Sequence, residues 1–249
     1  MEKMKINKNK AIGNVIYIVE GDKTEPEIIK HIFKDLFNYS VCLVNKKNEI
    51  SLYNPQEKYS KVHIIVAKYP QIKKLEDSND YFDNIYSMLS SDGLNVENSA
   101  IYYIFDRDRE CNRSKIIEND LKKYYNSRDN GNEMNGLFLL SYPSIEAFLC
   151  NSNLDNTKLS DGKMAKEYTK KYIIDKVEEK NLMNAVNIFL NVYKKILQQN
   201  FSANNLDNFS DDNLNVFKFE EETYCRENTY HTLSLLILSL IDLGIIEIW

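Results

Sequence analysis

Carboxylate side chains follow two apolar runs of this chain, at the point where each run ends. Glu20 comes directly after residues 15–19, and Asp106 and Asp108 follow residues 101–105. If the two runs are neighbouring parallel strands, their carboxyl ends meet in one crevice of the sheet, where open α/β folds bind ligands. Carboxylate oxygens are the ligands that Mg²⁺ prefers. The pattern therefore predicts a magnesium site that handles phosphate groups.

A fourth carboxylate follows a third apolar run. Pro143 ends the strand predicted at residues 136–141, and Glu146 then lies in the first turn of a predicted helix. An acid in the first turn also favours the helix dipole, and the same alternative applies to Glu20 before its own helix. With Glu146 near the crevice, the site holds one or two ions, Mg²⁺ or Mn²⁺; two ions would lie about 3.5–4 Å apart.

The elements that must position these acids alternate along the chain. A capping box with Thr24 as N-cap and Glu27 three residues later predicts a helix after the first strand. The order strand, helix, strands, helix, strand, helix, strand indicates an α/β fold with a mostly parallel sheet and helices on both faces. Further predicted elements are strands at residues 41–44 and 62–67, helices at 81–90 and 113–127, and a turn at 130–131.

The C-terminal part of the chain has a different pattern. We predict a sheet-containing domain over residues 1–150 and a helical subdomain over residues 151–249, because the later sequence has mainly helical spacing. The predicted elements of this subdomain are helices at residues 164–179 and 183–198, a loop at 200–215 and an apolar helix at 229–243.

Composition excludes several classes of protein. The four cysteines of this 249-residue chain are scattered and form no CxxC pair, which argues against a structural zinc site and fits a reducing compartment. Residues 1–10 are basic and polar and do not resemble a secretory signal. The most apolar stretch, residues 232–241, is too short to span a bilayer of about 30 Å. We therefore expect a cytoplasmic protein with no membrane partner.

The negative charge of the chain is local. Residues 205–228 contain seven acids and two bases, so this segment accounts for the whole formal net charge of −5. The rest of the chain sums to zero, which leaves a nucleic-acid partner open. We expect the acidic segment to dock a partner protein. The predicted substrate-binding residues are Lys23, Arg107, Arg109, Lys115 and Lys163.

Three motifs together resemble a known domain. The runs IVEGDKTEP (residues 18–26), IYYIFDRDRE (101–110) and SYPSIEAFL (141–149) are similar to the Toprim domain, and within it to the RloB-like and OLD-like nucleases of bacterial phage defence. The likeness covers about residues 14–150. It implies a Toprim-like fold in which Glu20 acts as a metal-linked general acid or base. It also implies that Asp106 and Asp108 hold Mg²⁺ and that Glu146 completes a second metal position.

The resemblance also implies a partner and a reaction. OLD-like sites use a lysine, for which Lys163 is a candidate here. The chain has no GxxxxGK[ST] loop, so an ATPase would be a separate partner. The expected activity is metal-dependent hydrolysis of DNA or RNA by an effector of abortive phage defence, acting alone or as a homo-oligomer. The alternatives are a magnesium-dependent phosphatase or nucleotidyl enzyme, and a non-catalytic sensor or scaffold that binds the ATPase.

Overall fold

The structure is a computed structural model that describes residues 3–42, 49–66, 87, 89–91, 93–107, 109, 114–126, 136–172, 176–198 and 209–249. Its strands are β1 (Met4–Ile6), β2 (Asn14–Val19), β3 (Ser40–Cys42), β4 (Glu49–Tyr53), β5 (Lys61–Val66), β6 (Ser99–Asp106), β7 (Tyr125–Asn126), β8 (Gly136–Tyr142), β9 (Lys158–Leu159), β10 (Tyr230–His231), β11 (Leu233–Ser234) and β12 (Ile246–Ile248). Its helices are α1 (Thr24–His31), α2 (Ser114–Lys123), α3 (Glu146–Ser152), α4 (Gly162–Thr169), α5 (Glu179–Leu197), α6 (Phe209–Glu227) and α7 (Leu236–Asp242).

A mostly parallel central sheet organises the described residues. Its order is β11-β8-β6-β2-β5-β4-β3, with β7 also paired to β8. The four central strands β8, β6, β2 and β5 are parallel to one another. Each outer strand pairs antiparallel with its own neighbour. Residues 15–19 of β2 are completely buried, as a strand covered on both faces requires. The predicted α/β class with a mostly parallel sheet is confirmed.

Helices cover both faces of this sheet. Tyr17 on β2 stacks on Tyr102 of β6 and packs against Phe33, which follows α1. The next residue of β6, Tyr103, points to the opposite face and contacts Tyr124 at the end of α2. The strands are therefore covered by helices on both faces, so side chains that contact a ligand must come from the strand ends.

The C-terminal part of the chain returns to the sheet. The predicted boundary at residue 150 falls inside α3, and residues from both sides of it belong to one hydrophobic core. Tyr17 OH and Ser239 Oγ are hydrogen-bonded at 2.9 Å, and Tyr102 OH donates to Asp242 Oδ2 at 2.6 Å. These buried contacts attach α7 directly to the two strands that carry Glu20 and Asp106.

Several C-terminal element predictions are wrong. The helix predicted at residues 164–179 ends at Thr169, where α4 stops. Residues 209–215, predicted as part of a loop, form the first half of α6. The start of the apolar helix predicted at residues 229–243 instead forms β10 and β11. Short apolar runs do not separate strand from helix by periodicity, and here the free edge of β8 supplies the hydrogen-bond partner for β11.

The helix after β2 begins as predicted, but a different interaction stabilises its start. The prediction of a capping box at Thr24 and Glu27 is wrong, because Lys23 is the N-cap and makes no side-chain capping hydrogen bond. Instead, Glu25 reaches back from the first turn and accepts a hydrogen bond from Gly21 N at 3.0 Å.

Some predicted features lie outside the described residues. They are the ends of the strands at 43–44 and 67, most of the helix at 81–90, the start and end of the helix at 113–127, the turn at 130–131, the loop at 200–208, and Asp108. Among the described residues, no helix is long and apolar enough to cross a membrane.

Candidate metal and phosphate site

Glu20 and Asp106 lie side by side at the carboxyl ends of two adjacent strands. The strands β2 and β6 pair in parallel with Val19 beside Ile104, so the residue after Val19 faces the end of β6. Asp106 N donates to Glu20 Oε2 at 3.3 Å. The register of the two strands therefore brings these two acids together, as the sequence predicts.

Glu146 joins them from the turn after β8. In the parallel pair of β6 and β8, Asp106 lies beside Ser141, so the chain that leaves β8 passes directly over Asp106. Ile145 N donates to Asp106 Oδ1 at 2.8 Å, and Ser144 Oγ donates to Glu146 Oε2 at 2.7 Å. Glu146 is only 3% exposed. The turn therefore holds both carboxylates through polar contacts.

Glu25 is a fourth member of the group. It is 5% exposed, and its carboxylate lies over Gly21 so closely that a Cβ on that glycine would overlap it. Glycine at position 21 thus lets the first turn of α1 bring Glu25 back to the end of β2. We refer to Glu20, Glu25, Asp106 and Glu146 as the acidic cluster.

Lys166 on α4 faces the acidic cluster. Partial burial of its ammonium group disfavours the charge, but attraction by Glu146, Asp106, Glu25 and Glu20 outweighs this and raises the pKa of Lys166. The start of the helix lies beside the turn that carries Glu146, since a Cβ built on Gly162 would be in van der Waals contact with Ser144 Cβ at 3.6 Å. One lysine therefore faces four carboxylates.

The carboxylates of the cluster repel one another in a poorly solvated place. The pKa of Asp106 is raised well above its ordinary value, first by burial and then by the negative charges of Glu25, Glu20 and Glu146. The pKa of Glu25 is raised by burial and by Glu146, against the hydrogen bond from Gly21 and the charge of Lys166. A cation placed among these groups would relieve the repulsion.

This repulsion predicts how stability depends on pH. Because the folded pKa of Asp106 is raised, its favourable contribution is complete below the unfolded value of about 3.9 and is lost as the pH rises through the folded value. We expect the free energy of unfolding of the metal-free protein to fall relative to that of Asp106→Asn as the pH rises above about 3.9. Urea unfolding of both proteins in chelator, at a series of pH values upward from there, measures it. Parallel pH profiles would contradict the prediction.

The donor set fits a hard divalent cation. It offers carboxylate oxygens, the ligands that Mg²⁺ prefers, and three of its acids come from the ends of parallel strands and the turn after one of them. Among the described residues, no group of three or more His, Cys, Asp or Glu side chains is already arranged to hold a metal ion. The remaining predicted ligand, Asp108, lies outside those residues.

Comparison with protein-family models, with curated proteins and with solved structures finds no match. A functional assignment for this chain therefore depends on the chemistry of its own residues.

The predicted substrate-binding residues have different positions. Lys23 and Lys163 are exposed in the loop before α1 and in the first turn of α4, on the two elements that carry Glu25 and Lys166. Lys115 is exposed on α2. Arg109 turns towards α6, with its guanidinium 4.6 Å from the ring centre of Tyr224. Lys23 and Lys163 are therefore the two that border the cluster.

Arg107 does not face a substrate, contrary to prediction. Its side chain is completely buried, and Arg107 Nε donates to Glu221 Oε1 at 2.7 Å. A guanidinium that is always charged must be paired when it leaves water, and α6 supplies the partner. The sequence indicated the charge but not the direction in which the side chain points.

The acidic segment, which we expect to dock a partner protein, is not a uniformly exposed surface. Glu220 is completely buried and accepts hydrogen bonds from His231 N at 3.1 Å and from the His231 ring at Nδ1, 2.9 Å away. Glu221 is paired with Arg107. Burial alone would raise the pKa of Glu221, but the charge of Arg107 and hydrogen bonds from Arg107, Ser114 and Tyr230 lower it. Of the three consecutive glutamates, Glu222 alone is exposed.

Two residues of the site were not assigned to it from the sequence. They are Glu25 and Lys166, which are absent from the ligands and substrate-binding residues predicted above. The signal for Glu25 is its spacing of four from Gly21, where a small residue permits close approach. Lys166 has no comparable signal, because the sequence does not distinguish it from the neighbouring lysines at positions 163 and 170.

Proposed function

We propose that the chain is a metal-dependent nuclease that hydrolyses phosphodiester bonds of DNA or RNA, with a Toprim-like arrangement of its site. The observation that carries the proposal is the meeting of Glu20, Asp106 and Glu146 at the carboxyl ends of three adjacent parallel strands. Such an edge is where open α/β sheets bind ligands. The resemblance of the three motifs to Toprim nucleases supports the same assignment.

The residues of the cluster have separate roles in this proposal. Glu20, Asp106, Asp108 and Glu146 would hold one or two Mg²⁺ or Mn²⁺ ions. The metal supplies charge stabilisation at the phosphoryl oxygens and lowers the pKa of a bound water. Glu20, which accepts a hydrogen bond from Asp106 N, is placed to take or return a proton at its carboxylate.

Lys166 has the role of a fixed positive charge. Its ammonium group is attracted by all four carboxylates of the acidic cluster, so it stays protonated beside the reacting phosphate. A positive charge at this position stabilises negative charge that develops on the phosphate in the transition state. Lys166, rather than Lys163, is the lysine that we assign to the site.

The same helix provides a track for the nucleic-acid backbone. Lys163 of α4 lies three residues before Lys166, and Lys170, the C-cap residue of α4 with helical backbone angles, lies four residues after it, so both are helical neighbours of Lys166. Both are exposed. A strand whose scissile phosphate lies at the cluster would pass close to these two ammonium groups.

Lys163→Gln and Lys170→Gln are expected to weaken binding without changing the chemistry. Each should reduce the slope of log affinity against log salt concentration by about 0.7–0.9, the effect of one phosphate contact. Fluorescence anisotropy with a labelled oligonucleotide at several salt concentrations measures this. Lys194→Gln, an exposed lysine on α5, is the matched control and should keep the wild-type slope. Equal slopes for all three variants and wild type would contradict the track.

Cleavage assays test the proposed function as a whole. Purified protein incubated with DNA and with RNA should cleave at least one of them in Mg²⁺ or Mn²⁺, and a chelator should abolish the cleavage. Hydrolysis of small phosphate esters without cleavage of either polymer would replace the nuclease by a phosphatase. Metal binding with neither activity would favour the non-catalytic sensor or scaffold.

The biological setting is proposed from the resemblance alone. In that setting the protein is the toxic effector of an anti-phage system, and a separate ATPase restrains or triggers it. Co-expression of the ATPase encoded beside it, followed by co-purification and plaque assays, tests this. Unchanged phage titres with an active nuclease would contradict it.

A further inference from the structure

A buried charge network begins at the residue directly after Asp106. Arg107 donates through Nε to Glu221 Oε1 at 2.7 Å and through Nη2 to Ser114 Oγ at 2.9 Å. Ser114 Oγ donates in turn to Glu221 Oε2 at 2.8 Å. The end of β6, the start of α2 and α6 are thereby connected around one guanidinium, and Glu221 of α6 lies 114 positions after Arg107 in the sequence.

Glu221 holds a second arginine of the same loop. Arg109 Nε lies 3.6 Å from Glu221 Oε2, and its guanidinium lies over the ring of Tyr224 on the same helix. Tyr230 OH adds a hydrogen bond of 3.1 Å to Glu221 Oε1. The positions 107 and 109, on either side of Asp108, are therefore both attached to one carboxylate of α6.

The backbone of this loop is tied to the site as well. Arg107 N donates to Ser141 O at 2.9 Å, and Ser141 lies on β8, the strand that leads to Glu146. Fixing the Arg107 side chain therefore fixes the peptide that follows Asp106.

Stability alone is a weak reason for a buried ion pair. Its desolvation cost is comparable to its attraction, and an apolar pair of similar volume is often as stable or more stable. An apolar pair makes no directional hydrogen bonds. The hydrogen bonds of the Arg107 guanidinium, in contrast, fix the orientation of its side chain relative to α6 and α2.

We propose that Glu221 is a positioning residue for the metal site: through Arg107 and Arg109 it holds Asp106, at the end of β6, in position. This inference rests on the proposed function, since it assumes that Asp106 binds metal. It gives α6 a role in the chemistry without contact between Glu221 and the ion or the substrate.

Two variants test the proposal from different directions. Glu221→Gln keeps an oxygen acceptor but removes the charge that both arginines share. The double variant Arg107→Met with Glu221→Met removes the network without leaving a buried charge unpaired, so the protein stays folded even if the single variant does not. Glu222→Gln, the exposed neighbour, is the matched control.

The measurement is Mn²⁺ affinity by calorimetry, together with cleavage rates over a range of Mn²⁺ concentrations. We expect both network variants to bind Mn²⁺ about 10–100-fold more weakly, the usual effect of losing support around metal ligands. The metal concentration for half-maximal cleavage should rise by the same factor, while saturating Mn²⁺ restores most of kcat. Ile246→Val, which thins the core at β12, gives a variant of lowered stability that should keep the wild-type metal affinity.

The outcomes separate the inference from the function on which it rests. Wild-type Mn²⁺ affinity in the folded double variant would overturn the positioning role and leave the network as a stability feature. A loss of affinity in Ile246→Val equal to that in Glu221→Gln would overturn it too, since the effect would then follow stability. A wild-type protein that binds no Mn²⁺ would instead remove the proposed function.

Discussion

Asp106→Asn is expected to abolish divalent-metal binding and to lower cleavage by at least about 10³-fold, yet to raise the melting temperature of the metal-free protein. The loss follows because the metal supplies several kcal/mol of charge stabilisation and each 1.36 kcal/mol is a tenfold change in rate. The gain follows because burial and three neighbouring carboxylates make the charge of Asp106 unfavourable in the metal-free fold. Asparagine keeps an oxygen that can accept the hydrogen bond from Ile145 N.

The two opposite effects make this variant informative. For a chain of this size, each kcal/mol gained raises the melting temperature by about 2–4 °C. Thermal unfolding in chelator measures the gain, and added Mn²⁺ should stabilise only the wild type. Asp211→Asn, an exposed aspartate on α6, is the control for removing one negative charge. A drop in metal-free stability would contradict the unfavourable charge of Asp106 in the metal-free fold.

Glu20→Gln is expected to reduce cleavage by at least about 10²-fold with little effect on folding. The amide keeps an oxygen acceptor for Asp106 N but has no charge with which to take a proton or hold the ion. In contrast to a stability defect, this loss should persist at low temperature, where the folded fraction of both proteins is complete. Single-turnover cleavage at saturating metal measures it.

Glu27→Gln provides the matched control for this change. Glu27 lies in the first turn of α1, the helix that follows Glu20, and pairs with Lys30 at the surface. Such exposed pairs contribute about 0–1 kcal/mol, so cleavage should stay at the wild-type rate. Near wild-type cleavage by Glu20→Gln would leave Glu20 as an acid that serves the dipole of α1.

The part of the site that depends on parallel strands was predictable from the sequence. Apolar runs as continuous as residues 15–19 and 101–105 indicate strands buried on both faces, and the first polar residue after such a run must lie at the sheet edge. Glu20 and Asp106 follow directly from this rule. Glu146 follows from Pro143, because proline ends the strand and places the next turn over the same edge.

The part that depends on tertiary packing was not predictable in the same way. Glu25 and Lys166 enter the site because α1 and α4 approach it, and at Gly21 the absence of a Cβ leaves room for the Glu25 carboxylate. A sequence shows that glycine permits close contact but not which surface arrives there. Similarly, the charges of Glu221 and Arg107 were visible, whereas their pairing joins residues 114 positions apart.

The C-terminal errors have one physical cause. Residues 230–234 form a short segment of mixed polar and apolar side chains, and so short a segment satisfies a strand and a helix equally well. The neighbouring structure decides, since β8 offers an unpaired edge to Leu233 and Ser234. The acidic stretch became a helix for a related reason: Asn213 of α6 is buried and donates to Phe138 O at 2.7 Å, a contact with a distant strand.

The pairing of β1 with β12 brings the two ends of the described chain together. Met4 lies opposite Ile248, and Lys3 N donates to Trp249 O at 2.9 Å. A short peptide linker could therefore join the ends into a backbone circle without disturbing the sheet. Closing a loop of this length in the unfolded chain corresponds to about 5 kcal/mol of lost conformational freedom. A cyclised version should accordingly unfold at a higher temperature while keeping the activity of the linear protein.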